Sequence, residues 1–174
     1  MSFAFLQLAE RANIPHNATE IIPATHGLDA LTVRCIERSA SLAELGCAFI
    51  VSAVESLSDT VLRHLDKGHS RGDVAEALAV VREAGIPLRP TWVAFTPWTT
   101  LEDYRQLLDF VEAHGLVDTV DPVQLSIRLL IPPGSLLLES AAMRPFLGEL
   151  VEEQFYHRWI HPDPRMEALH AEVS

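Results

Sequence analysis

Apolar residues along this chain fall into two rhythms, one suited to strands and one to helices. Between Gly46 and Gly68 the first gives way to the second. The apolar run Cys47 to Val54 is rich in β-branched residues and too short to cross a membrane, so it predicts a fully buried parallel strand. It stops at Glu55-Ser56. Ser56-x-x-Asp59 then matches a helix-capping pattern, and Val61, Leu62 and Leu65 share one helical face up to Gly68.

The alternation continues downstream. Ser70-Arg-Gly-Asp73 reads as a capping box. Val74, Ala77, Leu78 and Val81 follow at helical spacing, and Gly85 ends the helix. Leu88 to Phe95 predicts a second strand, with Thr96-Pro-Trp-Thr-Thr as the loop at its carboxyl end. Thr100-Leu-Glu-Asp103 caps a helix carrying Leu101, Tyr104, Leu108 and Val111, which stops at Gly115. Val123 to Ile131 predicts a third strand, broken by Pro132-Pro-Gly-Ser135. Residues 140–157 are helical by pattern, through Met143, Phe146, Leu147, Leu150 and Val151. Asp163-Pro164 opens a short final helix. Upstream, residues 3–12 and 28–45 predict helices and 18–24 a strand weakened by Pro23. Strand–helix units repeated in this order predict an α/β fold with parallel strands and helical crossovers. So few strands leave two sheet edges to be paired or covered, which points to part of a larger sheet.

Composition narrows the function. The chain has 174 residues, 48% of them hydrophobic, enough for one domain with a sizeable core. Its net charge is −11, and Lys67 is its single lysine. With no basic block, binding of nucleic acid by phosphate neutralisation is not expected. No apolar run reaches membrane-span length, and the amino-terminal residues lack the basic region of a signal peptide, so the expected location is cytoplasmic. Cys35 and Cys47 are too isolated for a usual zinc or iron–sulfur spacing. Both are expected as free thiols.

Candidate chemistry centres on Glu55 and Ser56. Polar groups at the end of a buried strand read either as ligand-binding groups at a strand's carboxyl end or as a helix cap with no ligand. His157-x-x-x-His161 with Asp163 has a zinc-like spacing, but Pro162 ends the helix such a site would need. His64 and His69 flank a helix end and read as solvated. Trp92 and Trp98 read as core and loop packing. Neither a hydrolase elbow nor a glycine-rich phosphate loop is present.

Three segments, in order, resemble one family. Ala53-Val-Glu-Ser-Leu-Ser-Asp59 with Leu65-Asp-Lys-Gly-His-Ser70 is similar to the fourth strand and following helix of radical S-adenosylmethionine enzymes. Arg89-Pro-Thr-Trp-Val-Ala-Phe-Thr-Pro97 resembles their fifth strand, and Ile127-Arg-Leu-Leu-Ile-Pro-Pro-Gly-Ser135 their sixth. His161-Pro-Asp-Pro-Arg165 resembles the end of superfamily members, and the resemblance spans residues 18–170. It implies a parallel-stranded partial (β/α) barrel, half of a TIM-like barrel, over residues 1–139, with a helical extension over 140–174. It also implies S-adenosylmethionine as cofactor and a small-molecule substrate. Glu55 and Ser56 would face the sugar or amino-acid part of that cofactor. Val93 and Phe95 would pack against adenine, and the backbone of Ile131, Pro133 and Gly134 would meet its edge. Arg128 would hold a carboxylate, either of a ligand or of Glu55 or Glu20. The family's Cys-x-x-x-Cys-x-x-Cys loop and Gly-Gly-Glu segment do not occur here, so the [4Fe-4S] cluster is not expected on this chain. The implied partners are a missing amino-terminal half or, for a non-catalytic module, a second copy joined through an open sheet edge.

Overall fold

A computed structural model describes residues 42–174. The segments expected as elements over 3–12 and 18–24, most of 28–45, and Cys35 lie outside the described residues. So does Glu20.

Strand β1 (Ile50–Glu55) is followed by helix α1 (Asp59–His64), helix α2 (Arg71–Glu83) and strand β2 (Leu88–Trp92). β1 and β2 pair in parallel, Ile50 opposite Leu88 and Glu55 opposite Trp92, with an irregularity between Ser52 and Glu55. Two helices supply the crossover that parallel pairing requires. The Ser70–Asp73 capping box is present and starts α2. Thr100 and Asp103 do the same for helix α3 (Leu101–Ala113). The pattern at Ser56 resolves differently. Ser58 is the cap residue of α1, while Ser56 Oγ accepts the Ser58 N–H at 3.1 Å. Asp59 instead accepts the backbone N–H of Arg71 at 2.9 Å, tying α1 to α2.

The third strand is shorter than expected. Asp121 caps a 3-10 turn, Pro122–Leu125, with proline in its first position. Such a turn pre-empts strand geometry. Gln124 Oε1 takes the Trp92 N–H at 2.9 Å, so a side chain stands in for a ladder bond. Only around Arg128 does the chain pair, in parallel, with Phe95. There Phe95 N–H donates to Ile127 O at 3.0 Å and Leu129 N–H to Phe95 O at 2.8 Å.

The tail also departs from expectation. Residues 147–159 form an antiparallel hairpin, β3 (Leu147–Val151) and β4 (Tyr156–Trp159), rather than a helix. Pro145 lacks the N–H a helix interior needs. Gly148 serves the hairpin: a Cβ there would lie 3.1 Å from Arg158 O. Helix α4 (Pro164–Val173) begins as its Asp-Pro start predicts, with Asp163 accepting the Arg165 N–H.

One face of the β1–β2 sheet is covered. Val54, Trp92 and Ala94 pack with Val74, Leu78 and Val81 of α2, with Tyr104, Leu107 and Phe110 of α3, and with Met166 of α4 in a single core. The opposite face carries Val51, Ala53 and Arg89, all exposed, and the partly exposed Thr91 and Val93. β1 is therefore buried on one face only among the described residues, not on both. Ile131, Met143 and Trp159 build a second, smaller core with Trp98, Phe146 and Leu147. Its members come from the loop after β2 and from residues following the third strand segment. Among the described residues, no helix is long and apolar enough to cross a membrane.

Candidate functional site

The ends of the three strand segments lie side by side. Glu55 O accepts the Val93 N–H at 2.9 Å, and two residues later Phe95 bridges to Arg128. Glu55 sits at φ 67°, a left-handed conformation that a non-glycine residue adopts only when its surroundings impose it. The turn this makes aims its side chain back over the connection after α1. There Lys67 Nζ donates to Glu55 Oε1 at 2.9 Å, with both side chains largely buried. Glu55, Ser56 and Val93 line one narrow cleft against Tyr104 and Leu107.

The connection after α1 is pinned by His69. Its Nε2 lies 3.1 Å from Val54 O and its Nδ1 3.3 Å from Lys67 O. Burial holds the ring below the usual histidine range, and the Lys67 ammonium adds to this against the pull of the two carbonyls. His69 is thus a structural tie, not the solvated residue expected. His64 is likewise engaged, its ring stacked 4.5 Å from that of Trp98. A pH effect follows from His69. Its folded-state pKa lies below its unfolded value, so its contribution to stability is complete above about pH 6.5 and is lost as the pH falls from there through the lower folded-state pKa. Thermal melts between pH 7.5 and 5.5 should show a falling midpoint, and His69→Gln should flatten that segment. An equal slope in the variant would discount the tie.

Arg128 has an internal partner. Its guanidinium donates to Glu167 Oε2 and Oε1 at 2.9 and 2.7 Å and to Trp159 O at 2.8 Å, and it lies 3.7 Å over the Trp159 ring. Arg128 chiefly, with the His161 N–H, holds the Glu167 carboxyl below the usual carboxylate range. The carboxylate paired with Arg128 is thus that of Glu167 rather than of Glu55. Phe95 is 1% exposed, enclosed by the rings of Tyr104 at 5.2 Å and His170 at 4.8 Å. Its ring is core and offers no face to a nucleobase. Ile131 is buried in the second core and its carbonyl accepts the His157 N–H at 2.8 Å. Pro133 is partly exposed and Gly134 exposed, so backbone remains available there.

A second, open groove of about 760 Å³ runs between the loop after β2 and the start of α4. Its charges are spent on one another. Arg105 holds Glu102, whose carboxyl is lowered to about 2, and Arg165 does the same to Asp163. His161, at its wall, accepts the Asp163 N–H at Nδ1 (2.9 Å), so Nε2 carries the proton and donates to Thr99 O at 2.9 Å. Both ring nitrogens are thus taken by backbone, and His157 lies on β4, so the zinc-like spacing brings no ligand set together. Cys47 is a free thiol whose Sγ lies 3.5 Å from Phe49 O.

Reasoning from sequence missed the two partners that organise this region. Lys67 stands twelve residues after Glu55, and nothing in that spacing marks the two as partners. Glu167 lies thirty-nine residues from Arg128 and carries no local signal.

No protein-family model and no curated protein matches the chain. Solved structures that share its fold over part of their length include two of one enzyme. They are the cobalamin-dependent S-adenosylmethionine radical enzyme OxsB with aqua-cobalamin bound (17% identity, TM-score 0.63) and the same enzyme with aqua-cobalamin and S-adenosylmethionine bound (16%, 0.65). The matches cover 80% and 83% of this chain but only 25% and 26% of the enzyme. At such identity the likeness is one of fold, and it falls on part of a radical S-adenosylmethionine enzyme, as the three sequence segments led one to expect.

Proposed function

We propose that this chain is the second half of a (β/α) barrel of a radical S-adenosylmethionine enzyme, and that it contributes contacts to S-adenosylmethionine. The observation that carries this reading is the alignment of Glu55, Val93 and the Phe95–Arg128 bridge at adjoining strand ends, beside a sheet with helices on one face only among the described residues. A barrel arc has this asymmetry, since its inner face looks onto the interior. Glu55 and Ser56 supply hydrogen-bond acceptors for hydroxyl or amino groups of the ligand. Val93 supplies an apolar surface, and the backbone at Pro133-Gly134 supplies a polar edge. Arg128 and Phe95 act as structural supports behind these groups.

The described residues do not fit a [4Fe-4S] cluster. Cys47 is their one free thiol, and the sequence holds a single further cysteine twelve positions away. The chain's part is therefore binding and orientation of the organic cofactor, with electron delivery belonging to another polypeptide segment.

Calorimetric titration of the purified chain with S-adenosylmethionine tests the reading. Heat of binding that falls at least about tenfold in apparent affinity in Glu55→Ala supports it, a loss in the range expected for one buried, charged hydrogen-bonding group. The sheet face that the described residues leave uncovered, where Val51 is 39% exposed, favours a second reading as an interaction module. Absence of heat at millimolar ligand, together with a dimer in sedimentation, would establish that alternative.

A further inference from the structure

The Glu55 carboxylate is not a bare anion, and this has consequences for what it binds. We infer that Lys67 is a specificity-determining residue that sets the charge preference of the β1 tip, turning Glu55 from a cation site into an acceptor for neutral hydrogen-bond donors. The inference rests on the reading of this tip as a ligand contact and deepens it.

Lys67 Nζ occupies Glu55 Oε1 at 2.9 Å, while Oε2 has no hydrogen-bond partner among the described residues. The pair has no net charge, yet it leaves one carboxylate oxygen without a hydrogen-bond partner among the described residues. A cation approaching that oxygen meets the Lys67 ammonium as well as the carboxylate, and the two interactions largely offset each other. A hydroxyl or amide donor pays no such penalty. The side chains of Lys67 and Glu55 are only 28% and 20% exposed, so solvent does not screen the ammonium away.

The backbone that carries the ammonium is also held in place. Lys67 N–H donates to Leu62 O at 3.1 Å, and Lys67 O faces His69 Nδ1, whose ring in turn reaches Val54 O beside Glu55. On the other side of the pair, the Glu55 backbone is fixed by the Val93 N–H. Lys67 and Glu55 are therefore both anchored through their backbones, and their pairing is present in the folded chain without any ligand. Asp103 nearby accepts the Thr100 backbone and hydroxyl protons within its capping box, Asp66 is exposed, and among the described residues Lys67 is the cation paired with Glu55.

A matched pair of ligands reads this directly. S-adenosylmethionine and S-adenosylhomocysteine differ by one methyl group and the positive charge it places on sulfur. The ratio of their dissociation constants should lie within about threefold of unity in the wild-type chain. In Lys67→Met it should move by about fivefold to tenfold towards the sulfonium compound, as expected for unmasking one partly buried charge. Lys67→Arg should restore the wild-type ratio, which a merely structural role would not predict. In Glu55→Gln/Lys67→Met the shift should vanish. If circular dichroism shows Lys67→Met to be misfolded, Lys67→Gln takes its place. Both compounds binding with a ratio that Lys67→Met leaves unmoved would overturn this inference alone. Neither compound binding to any variant would overturn the assignment of the site as well.

Discussion

Replacing Phe95 by alanine is expected to lower the free energy of unfolding by about 4 kcal/mol, the cost typical of deleting a fully buried aromatic ring. The ring is 1% exposed and lies between Tyr104 of α3 and His170 of α4. Its backbone at the same time bridges to Ile127 and Leu129. Deletion opens a cavity where two helices and two strand segments meet, and close-packed surroundings relax into it only in part. Urea unfolding monitored by circular dichroism measures the effect. Val93→Ala, two residues earlier on the partly exposed face, should cost less than about 1 kcal/mol. Equal losses at the two positions would contradict the sidedness of the sheet.

Arg128→Met is expected to cost about 3 kcal/mol, since methionine keeps much of the apolar stem but removes the guanidinium. Three things go with it: the bidentate bond to Glu167, the bond to Trp159 O, and the stacking over the Trp159 ring. Charge-assisted hydrogen bonds contribute about 1.5–3 kcal/mol, and leaving one partner of a half-buried pair alone adds a penalty. Glu167 still accepts the His161 N–H at 2.6 Å, which limits the damage. The double variant Arg128→Met/Glu167→Gln should lose at least about 1 kcal/mol less than the sum of the single losses. Strict additivity would show that the pair is not coupled. The variant also bears on acid stability. With Arg128 in place the Glu167 pKa is lowered, so its contribution is present above about pH 4.5 and lost as the pH falls towards the depressed folded-state value. Arg128→Met should shrink that acid-side loss.

The features legible in the sequence are those fixed over short spans. The capping boxes at Ser70 and Thr100, and the Asp163-Pro164 start of α4, are set by bonds between neighbours and appear where their patterns place them. The parallel pairing of β1 and β2 follows from apolar runs separated by helices. Features decided by distant partners were not legible. Met143, Phe146, Leu147 and Leu150 fit a helical spacing, yet Leu147 is opposite Trp159, and the second core claims Met143 and Phe146. Phe95 is a ligand contact only by its place in the strand that resembles the family's fifth. Both Ala94 and Phe95 are buried, because the chain there leaves β1 for a new neighbour. Glu55 and Ser56 were identified as a pair at a strand tip. The ion that completes Glu55 was not, because nothing in the spacing of Lys67 announces it.

The Glu55–Lys67 contact also makes the chain unusually convenient to report on. Lys67 is the only side-chain primary amine in the sequence. An amine-directed dye, crosslinker or mass tag therefore has two addresses, the α-amino group and the end of β1. The rate of labelling at Lys67, followed by peptide mapping, becomes a clock for how often the carboxylate releases its partner. A compound that settles at that strand end will register as a change in that clock, with no need to know its chemistry beforehand.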